Sequence, residues 1–323
     1  MFNVVIAERS FSDNAKEIFK DIGRVFDFGD TKKFLLALGN ADAVIAGLEV
    51  AFDKAMLDRA PKLQLIGSRT TQLRHIDLKE CGRRNIKVIN IKAESSVLQN
   101  TSSTAEETIA LLFALLRNVP WAFDSIKKRQ WKRSFYGGSE LHGKTVGLIG
   151  FGRLGRMVSN YVKSFGVTIV AYDPYVRQDA MNTFGVKKVS LEKLLKVSDI
   201  VSIHSIYNTT TQGMITKDHF KLMKPTAYLI NTARGEITNE ADLLTALKKH
   251  WIAGAAVDTL AGETPSGSHV ADNRLVDYAI RNQNLIILPH LGGATREATE
   301  RTQIYISELV RDELMKLPES SVR

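Results

Sequence analysis

Three glycines spaced as G-x-G-x-x-G, namely Gly150, Gly152 and Gly155, follow the apolar run 145–149 and precede a predicted helix over 153–165. Between a strand and a helix, this spacing is typical of dinucleotide binding. The first glycine permits a tight turn, the second lets a pyrophosphate approach the backbone, and the third lets helix and strand pack closely. Free N–H groups at the helix start would meet the phosphates. The turn therefore predicts hydride transfer with a nicotinamide cofactor.

Asp173 ends the next predicted strand, 168–172, close to the spacing of about 20 residues expected after the glycines. Its carboxylate would accept hydrogen bonds from ribose hydroxyls and repel a 2′-phosphate, which favours NAD over NADP. The alternatives are an ordinary strand–helix turn for the glycines and a turn residue before Pro174 for Asp173.

The elements that position this turn alternate along the chain. Short Val/Ile/Leu runs separated by helical patterns fill residues 3–91 and resume from 145 to about 288, which predicts parallel sheets covered on both faces. In the first block, for example, a helix is predicted over 12–22 and a strand over 43–46. The fold class is α/β, with two Rossmann- or flavodoxin-like domains and an active-site cleft between them. We predict a substrate-binding domain of residues 1–99 plus 290–323 and an NAD-binding Rossmann domain of residues 100–289. The final amphipathic helix, 298–317, is expected to pack on the first block.

A polar stretch over 94–103 is interpreted as the crossing between domains. Ser103 is the expected N-cap of an apolar helix over 104–116, with Glu106 at the capping-box spacing. A second helix is expected to hold Trp121 and Trp131. These apolar helices suggest a buried partner surface, although an intrachain core would give the same pattern.

Composition narrows the function classes. The 323 residues are 44% hydrophobic and 24% charged, which is typical of globular proteins and suggests two domains. No apolar run approaches the ~20 residues of a membrane span. No secretory signal is visible at the N-terminus. Together with the single cysteine, Cys81, this favours a reducing, cytoplasmic compartment. The net charge of +9 is scattered in short pieces, which fits anionic ligands better than nucleic acid. No metal site is predicted.

Five phrases together resemble the D-isomer-specific 2-hydroxyacid dehydrogenases, which include 3-phosphoglycerate dehydrogenase. They follow the family's order and extend over nearly the whole chain. They are Asn-Thr-Ser-Ser-Thr-Ala-Glu at 100–106, Ser-Asp-Ile-Val-Ser-Ile-His at 198–204, Met-Lys-Pro at 223–225, Asn-Thr-Ala-Arg-Gly at 231–235 and Pro-His-Leu-Gly-Gly at 289–293.

The resemblance implies that Arg234 binds the substrate carboxylate, that His290 is the general acid/base and that Glu263 pairs with it. Ketone reduction needs a proton on oxygen, which histidine supplies near neutral pH, and arginine offers a planar fork that matches a carboxylate. Asp258 would hold the nicotinamide carboxamide. The resemblance extends the cofactor contacts beyond the glycines and Asp173 to Arg153, Leu154, His204, Ser205, Thr232, Ala233, Arg234, Asp258, His290, Gly292 and Gly293.

Each of these residues also has a structural interpretation. Glu263 could be a surface charge, because residues 260–262 depart from the family's aromatic and proline-containing stretch. His290 could be a structural histidine at a strand end whose ring nitrogens are hydrogen-bonded within the protein. Arg234 could be a surface or helix-capping residue. A structural role for His204 competes equally with ligand contact.

On the substrate side, the family uses backbone N–H groups of the loop after the fourth strand. The matching segment here, 67–75, lacks the usual glycine pair, and we predict substrate contacts from Arg69, Thr70 and Thr71. Arg74 and His75 could also meet an anion, unless these are solvated loop charges. The loop 91–99 is longer than the family pattern and is expected to reshape the mouth of the cleft. We therefore hypothesise a phosphorylated or sugar-derived substrate.

The predicted function is that of an NAD-dependent D-2-hydroxyacid dehydrogenase acting on a small 2-hydroxy or 2-keto acid. One alternative is a glyoxylate or hydroxypyruvate reductase, and another is an NAD(H)-sensing scaffold like the corepressors of this fold, which keep the same residues. The related formate dehydrogenases have glutamine where Glu263 stands. The resemblance also implies a homodimer formed through the region of the apolar helices.

Overall fold

Strand and helix alternate through two compact units in the computed structural model, which describes residues 1–92, 95–131, 133–264 and 266–317. One unit is Met1–Thr101 with the segment from Thr295 onward, and the other is Ser102–Ala294. The sequence prediction placed the boundaries at 99/100 and 289/290. Residues 290–294 lie in the second unit because the main chain and side chain of Asp258 accept hydrogen bonds from the backbone of 290–292.

The first unit begins with β1 Phe2–Ala7, α1 Asp13–Glu17, β2 Gly23–Phe26, α2 Thr31–Leu38, β3 Ala43–Ala46, α3 Lys54–Leu57, β4 Leu65–Ser68, α4 Leu78–Arg83, β5 Lys87–Asn90 and α5 Ser96–Gln99. Its five parallel strands lie in the order β2-β1-β3-β4-β5, the flavodoxin-like arrangement. Strand β3 is buried along its whole length, which explains its purely apolar sequence.

The second unit contains α6 Ser103–Leu116, α7 Val119–Lys127, β6 Thr145–Ile149, α8 Arg153–Lys163, β7 Thr168–Tyr172, α9 Gln178–Asn182, β8 Lys187–Lys188, α10 Leu191–Val197, β9 Ile200–Ile203, α11 Lys217–Leu222, β10 Tyr228–Asn231, α12 Glu240–Lys248, β11 Gly254–Val257, α13 Arg274–Arg281 and β12 Leu285–Ile287. Short 3₁₀ turns cover Gly235–Ile237 and Ser268–Val270.

The strands of the second unit are all parallel and lie in the order β12-β11-β10-β9-β6-β7-β8. The winding reverses between β6 and β9, and open α/β sheets bind ligands beyond the carboxyl ends of strands at such a point. The two parallel sheets confirm the predicted fold class.

Helix α6 begins one residue before the predicted start. Its N-cap is Ser102, and neither the predicted Ser103 cap nor a capping box forms. The Ser102 hydroxyl instead donates to Glu106 Oε1 at 2.6 Å, while Ser103 is buried in the first turn. Trp121 lies in α7, but Trp131 follows the end of that helix and is exposed, so the expected second helix is shorter than predicted.

Among the described helices, none alone has the length and apolar composition to cross a membrane. One bent pair, Ser96–Leu116 with Val119–Lys127, meets those two criteria together.

The final helix is α14, Arg296–Leu314. It packs against α1 and against β3, β4 and β5, which confirms the expected return to the first unit. Ile306, Val310 and Leu314 form its buried apolar stripe. Of the loop 91–99, residues 93 and 94 lie outside the described residues, and 96–99 form α5.

Candidate functional site

The glycine turn joins β6 to α8 at the point where the winding reverses. Gly150 has a φ of 94°, and a Cβ there would lie 2.6 Å from the backbone N of Ser205, so no other residue fits this turn. A Cβ at Gly155 would lie 2.3 Å from the carbonyl oxygen of Gly150, whereas space is open around Gly152. The backbone at the N-terminus of α8, which starts at Arg153, is thus accessible to an anionic group.

Asp173 follows β7 and fixes this turn from the side. Its Oδ2 accepts a hydrogen bond from the Phe151 backbone N–H at 2.9 Å, and its Oδ1 accepts from the N–H groups of Tyr175 at 2.9 Å and Val176 at 3.2 Å. The carboxylate is therefore held beside the glycine turn, where the sequence predicts a ribose ligand. The same carboxylate also stabilises the turn at Pro174, which is the structural role that the sequence offers as the alternative for Asp173.

His204 and Ser205 lie at the end of β9, against Gly150. His204 is buried, its Nε2 lies 2.9 Å from Ser202 Oγ, and burial lowers the pKa of its imidazole to about 4. Its Nδ1 and the Ser205 hydroxyl are buried polar atoms without a partner among the described residues. A neutral ring and a hydroxyl next to the glycine turn fit hydrogen bonding to a bound dinucleotide, because buried polar groups normally find partners.

His290 and Glu263 form the central pair of the site. The imidazole Nδ1 lies 2.6 Å from Glu263 Oε2, and both side chains are about a third exposed or less. Burial opposes the charge of Glu263, but the hydrogen bond from His290, the Leu260 N–H and the charge of Arg234 lower its pKa overall. The pairing leaves His290 Nε2 as the atom that can exchange a proton with a ligand.

The backbone of His290 is held in a left-handed conformation, with a φ of 56°. Asp258, which follows β11, stabilises it: its carbonyl oxygen accepts from the His290 N–H at 2.9 Å. Its Oδ1 and Oδ2 accept from the N–H groups of Leu291 at 2.7 Å and Gly292 at 2.9 Å. Asp258 thus orients the segment that carries the histidine and the predicted cofactor contacts Gly292 and Gly293.

Arg234 extends from the loop after β10. Asn231 shapes this loop, because its Oδ1 accepts from the Ala233 N–H at 3.0 Å and its Nδ2 donates to the Arg234 carbonyl at 2.9 Å. The Arg234 Nη1 donates to the Ala233 carbonyl at 2.7 Å. Thr232 Oγ1 lies 2.9 Å from Thr108 Oγ1, which anchors the loop to α6.

Several residues that the sequence did not single out support this arrangement. Glu240, at the start of α12, accepts hydrogen bonds from the Ala261 N–H at 2.6 Å and from Asn273 Nδ2 at 3.3 Å, and so holds the loop that leads to Glu263. On α6, Thr104 Oγ1 donates to the Gly292 carbonyl at 2.9 Å. The sequence of this turn indicates a helix start and a family phrase, but it gives no sign that Thr104 contacts a segment 188 residues away.

The predicted substrate loop lies in the first unit, after β4. Arg69 Nε donates to the buried carboxylate of Glu8 at 2.7 Å, so much of its charge is already compensated. Thr70 Oγ1 donates to the Gln72 carbonyl at 2.7 Å, and Thr71 is exposed. His75 is buried and its Nε2 lies 3.3 Å from Ser68 Oγ.

Burial lowers the pKa of His75. Its burial excludes the alternative of a solvated loop charge for His75, while a contact of this ring with an anion stays a prediction. Arg74, by contrast, is exposed.

Comparison with known proteins agrees with this geometry. Residues 109–292 match the family model of the D-isomer specific 2-hydroxyacid dehydrogenase, NAD binding domain. The D-3-phosphoglycerate dehydrogenase of Bacillus subtilis is 32% identical over 98% of this chain and 58% of its own length. That of Mycobacterium tuberculosis is 34% identical over 89% of this chain and 52% of its own length. The chain thus spans little more than half the length of these curated relatives.

Solved structures resemble the chain over nearly its whole length. A D-lactate dehydrogenase from Aquifex aeolicus, complexed with NAD and lactic acid, has a TM-score of 0.77 and 28% identity, and the match covers 97% of this chain and 95% of that one. The pyruvate reductase of Chlamydomonas reinhardtii, with a TM-score of 0.84 over 98% of this chain and 96% of that one, shares the fold at 22% identity. The chain belongs to the D-isomer-specific 2-hydroxyacid dehydrogenase family, and residues 109–292 are its NAD-binding domain.

Proposed function

We propose that the chain is an NAD-dependent dehydrogenase that interconverts a 2-keto acid and the corresponding D-2-hydroxy acid. The observation that carries this proposal is the 2.6 Å pair of His290 and Glu263, with the charge of Arg234 acting on the same carboxylate. A proton donor and a carboxylate-binding cation then lie in the unit that carries the NAD-binding glycine turn. When bound, NADH supplies the hydride.

The roles of the side chains follow from this arrangement. His290 protonates the keto oxygen through Nε2. Glu263 holds the other ring nitrogen, Nδ1, in a hydrogen bond and stabilises the imidazolium. Arg234 binds the substrate carboxylate with its planar fork and polarises the keto group. With the cofactor bound, Asp258 would hold the nicotinamide carboxamide, and Asp173 would accept hydrogen bonds from the ribose hydroxyls.

We assign substrate recognition to the first unit, residues 1–99 plus the C-terminal segment, with Arg69, Thr70 and Thr71 as the contacting residues. The polar loop after β4 supports a substrate with a second polar group, such as a phosphorylated or sugar-derived acid. The identity to D-3-phosphoglycerate dehydrogenases is in line with this class. Because the Glu8 carboxylate compensates the charge of Arg69, we expect hydroxyl and backbone donors of this loop to contact the second polar group more than that guanidinium does.

The experiment that tests the proposed function is a kinetic panel. Phosphorylated, hydroxylated and plain 2-keto acids are each reduced with NADH and with NADPH, and kcat/KM is measured. We expect turnover with NADH, little with NADPH because Asp173 would repel a 2′-phosphate, and the highest kcat/KM for a substrate with a second polar group. A strong preference for pyruvate or glyoxylate would contradict the substrate class, and a lack of turnover with every acid would favour the scaffold.

We propose a homodimer formed through α7 and the segment after it. This surface exposes Val119, Phe123, Ile126, Trp131 and Phe135, an apolar patch of a kind that marks protein interfaces. A second copy of the chain is the occupant we infer, because a symmetric pair lets the same aromatic side chains cover each other. We also propose a cytoplasmic location, which the single, buried Cys81 supports.

Light scattering after size-exclusion chromatography tests the dimer. We expect a mass of twice the chain's 35.9 kDa. Phe123→Asp should convert the dimer to monomer, because the new carboxylate would lose its hydration when the apolar surface is covered. The matched control is Ile280→Asp, which introduces the same charge at an exposed isoleucine of α13 and should leave the dimer intact. A monomer mass at all concentrations of the unaltered chain would refute the dimer.

A further inference from the structure

Glu107, the fifth residue of α6, brings a second carboxyl group to Asp258. A Cβ at Gly292 would lie 2.9 Å from Glu107 Oε2 and 3.1 Å from Asp258 Oδ2, so the two groups meet over the Cα of that glycine. Burial, the charge of Asp258 and a side-chain hydrogen bond to Asp258 all raise the pKa of Glu107. Only a residue without a side chain at 292 leaves room for both carboxyl groups.

The hydrogen-bond donors around the pair are unequally divided. Both oxygens of Asp258 accept from backbone N–H groups, those of Leu291 and Gly292. Glu107 Oε2 is buried and has no donor among the described residues. Two ionised carboxylates are both acceptors and cannot bond to each other. The oxygens of Asp258 already accept two hydrogen bonds, so Glu107 is the group placed to contribute the hydrogen between the two carboxyl groups.

Among the described residues, no charged group on the neighbouring elements donates a hydrogen bond to Glu107 Oε2. Helix α6 packs against β10, β11, α7 and α8. The charge that acts on Glu107 from these elements is that of Asp258. Other charged groups lie on these elements and the adjoining loops. They include Arg234 after β10, Glu263 and His290 of the proposed site, Arg153, Arg156 and Lys163 on α8, the mutually paired Asp124 and Lys127 on α7, and Arg117 and Lys128 at the ends of α6 and α7.

We propose that Glu107 holds a proton that it donates to Asp258, and that this shared proton keeps the His290–Gly292 segment in its active position. Glu107 is then a positioning residue for the dehydrogenase, so the kinetic part of this inference rests on the proposed function. The pair carries one negative charge in total. Loss of the proton places two carboxylates beside each other and weakens the hold of Asp258 on the backbone of Leu291 and Gly292.

The direction of the pH dependence follows from the environment of the pair. Burial and the charge of Asp258 raise the pKa of Glu107 to about 8. The folded chain therefore retains a proton that the unfolded chain releases near the ordinary glutamate value of 4.5. Because the folded state binds the extra proton, its stability falls as the pH rises from that value through about 8. The active position of His290 should be lost at the upper end of this range.

Glu107→Gln tests the shared proton, because an amide donates the same hydrogen bond but does not ionise. The matched control is Glu106→Gln, the same change at the exposed neighbour. Melting temperature without cofactor and kcat/KM are measured from pH 6 to 9.5, values we choose to bracket the transition. In the unaltered chain the melting temperature should fall from pH 6 to about pH 8 and level off above it, because the folded and unfolded states then bind the same number of protons. The kcat/KM is that for oxidation of the hydroxy acid, in which His290 accepts the proton, and it should fall by about tenfold per pH unit above about pH 8.

In Glu107→Gln both falls should be absent or reduced, whereas Glu106→Gln should follow the unaltered chain. An alkaline fall that persists in Glu107→Gln by both measures overturns the proposal.

Carbon-13 NMR of glutamate-labelled, unaltered protein gives an independent answer should the variant not fold. A carboxyl that titrates near pH 8 supports the proposal, and titration of every glutamate at acidic pH overturns it. A chain without turnover contradicts the proposed function, while melting and NMR still test the proton.

Discussion

Replacing His290 by asparagine is expected to lower kcat/KM for keto-acid reduction by about a hundredfold or more. The imidazole is the proposed proton donor, and asparagine cannot exchange a proton near neutral pH. Asparagine is preferable to alanine here because His290 has a φ of 56°, a left-handed conformation that asparagine tolerates well. The loss can therefore be assigned to the missing proton donor. Steady-state oxidation of NADH provides the measurement.

His250→Asn is the matched control for this change. His250 is exposed and has a φ of 53°, so the same substitution meets the same backbone conformation at a distance from the proposed chemistry. We expect its kcat/KM to equal that of the unaltered chain. Near-normal turnover of His290→Asn would remove His290 from the role of proton donor, and Glu263 would then lose its proposed function as well.

Arg234→Ala is expected to reduce kcat/KM by about a hundredfold or more, and Arg234→Lys should recover only part of this loss. A bidentate carboxylate contact comprises two charge-assisted hydrogen bonds worth roughly 1.5–3 kcal/mol each, and about 1.4 kcal/mol corresponds to a tenfold change. Lysine retains the charge without the planar fork. The Asn231 side chain holds this loop through backbone groups, so both substitutions should leave the loop in place.

The control is Arg281→Ala, which removes an exposed arginine from the last turn of α13. Its kcat/KM should be unchanged. Melting temperatures of all three variants show whether the fold is retained. Equal activity of Arg234→Lys and the unaltered chain would mean that a point charge suffices, and it would contradict bidentate binding of the substrate carboxylate.

Local features of the chain were largely predictable from the sequence. The glycine turn follows a strand and opens α8 as predicted, and the strand Ala43–Ala46 has the predicted bounds, because buried parallel strands leave a plain apolar signature. The first helix was predicted over 12–22 but ends at Glu17. Backbone i→i+3 hydrogen bonds tighten the chain from Phe19 to Ile22, and apolar periodicity does not distinguish such turns from an α-helix.

Contacts between distant segments could not be predicted. Arg69 was assigned to substrate because its loop is polar, but its partner Glu8 follows a different strand. Glu107 and Asp258 are brought together by the packing of α6 against β11, and a single glutamate in a helix gives no sign of such a pairing. The roles predicted for individual site residues stay predictions, since they depend on ligands.

Asp173 has a consequence for attempts to redesign the cofactor preference. Its carboxylate accepts three backbone hydrogen bonds, one from Phe151 in the glycine turn and two from Tyr175 and Val176. The loop architecture and the cofactor preference proposed for Asp173 therefore depend on one side chain. Asparagine would keep a single acceptor oxygen, which can serve one of the two turns but not both. A variant designed to accept a 2′-phosphate therefore needs new hydrogen bonds to hold one of these loops, in addition to the removal of the Asp173 charge.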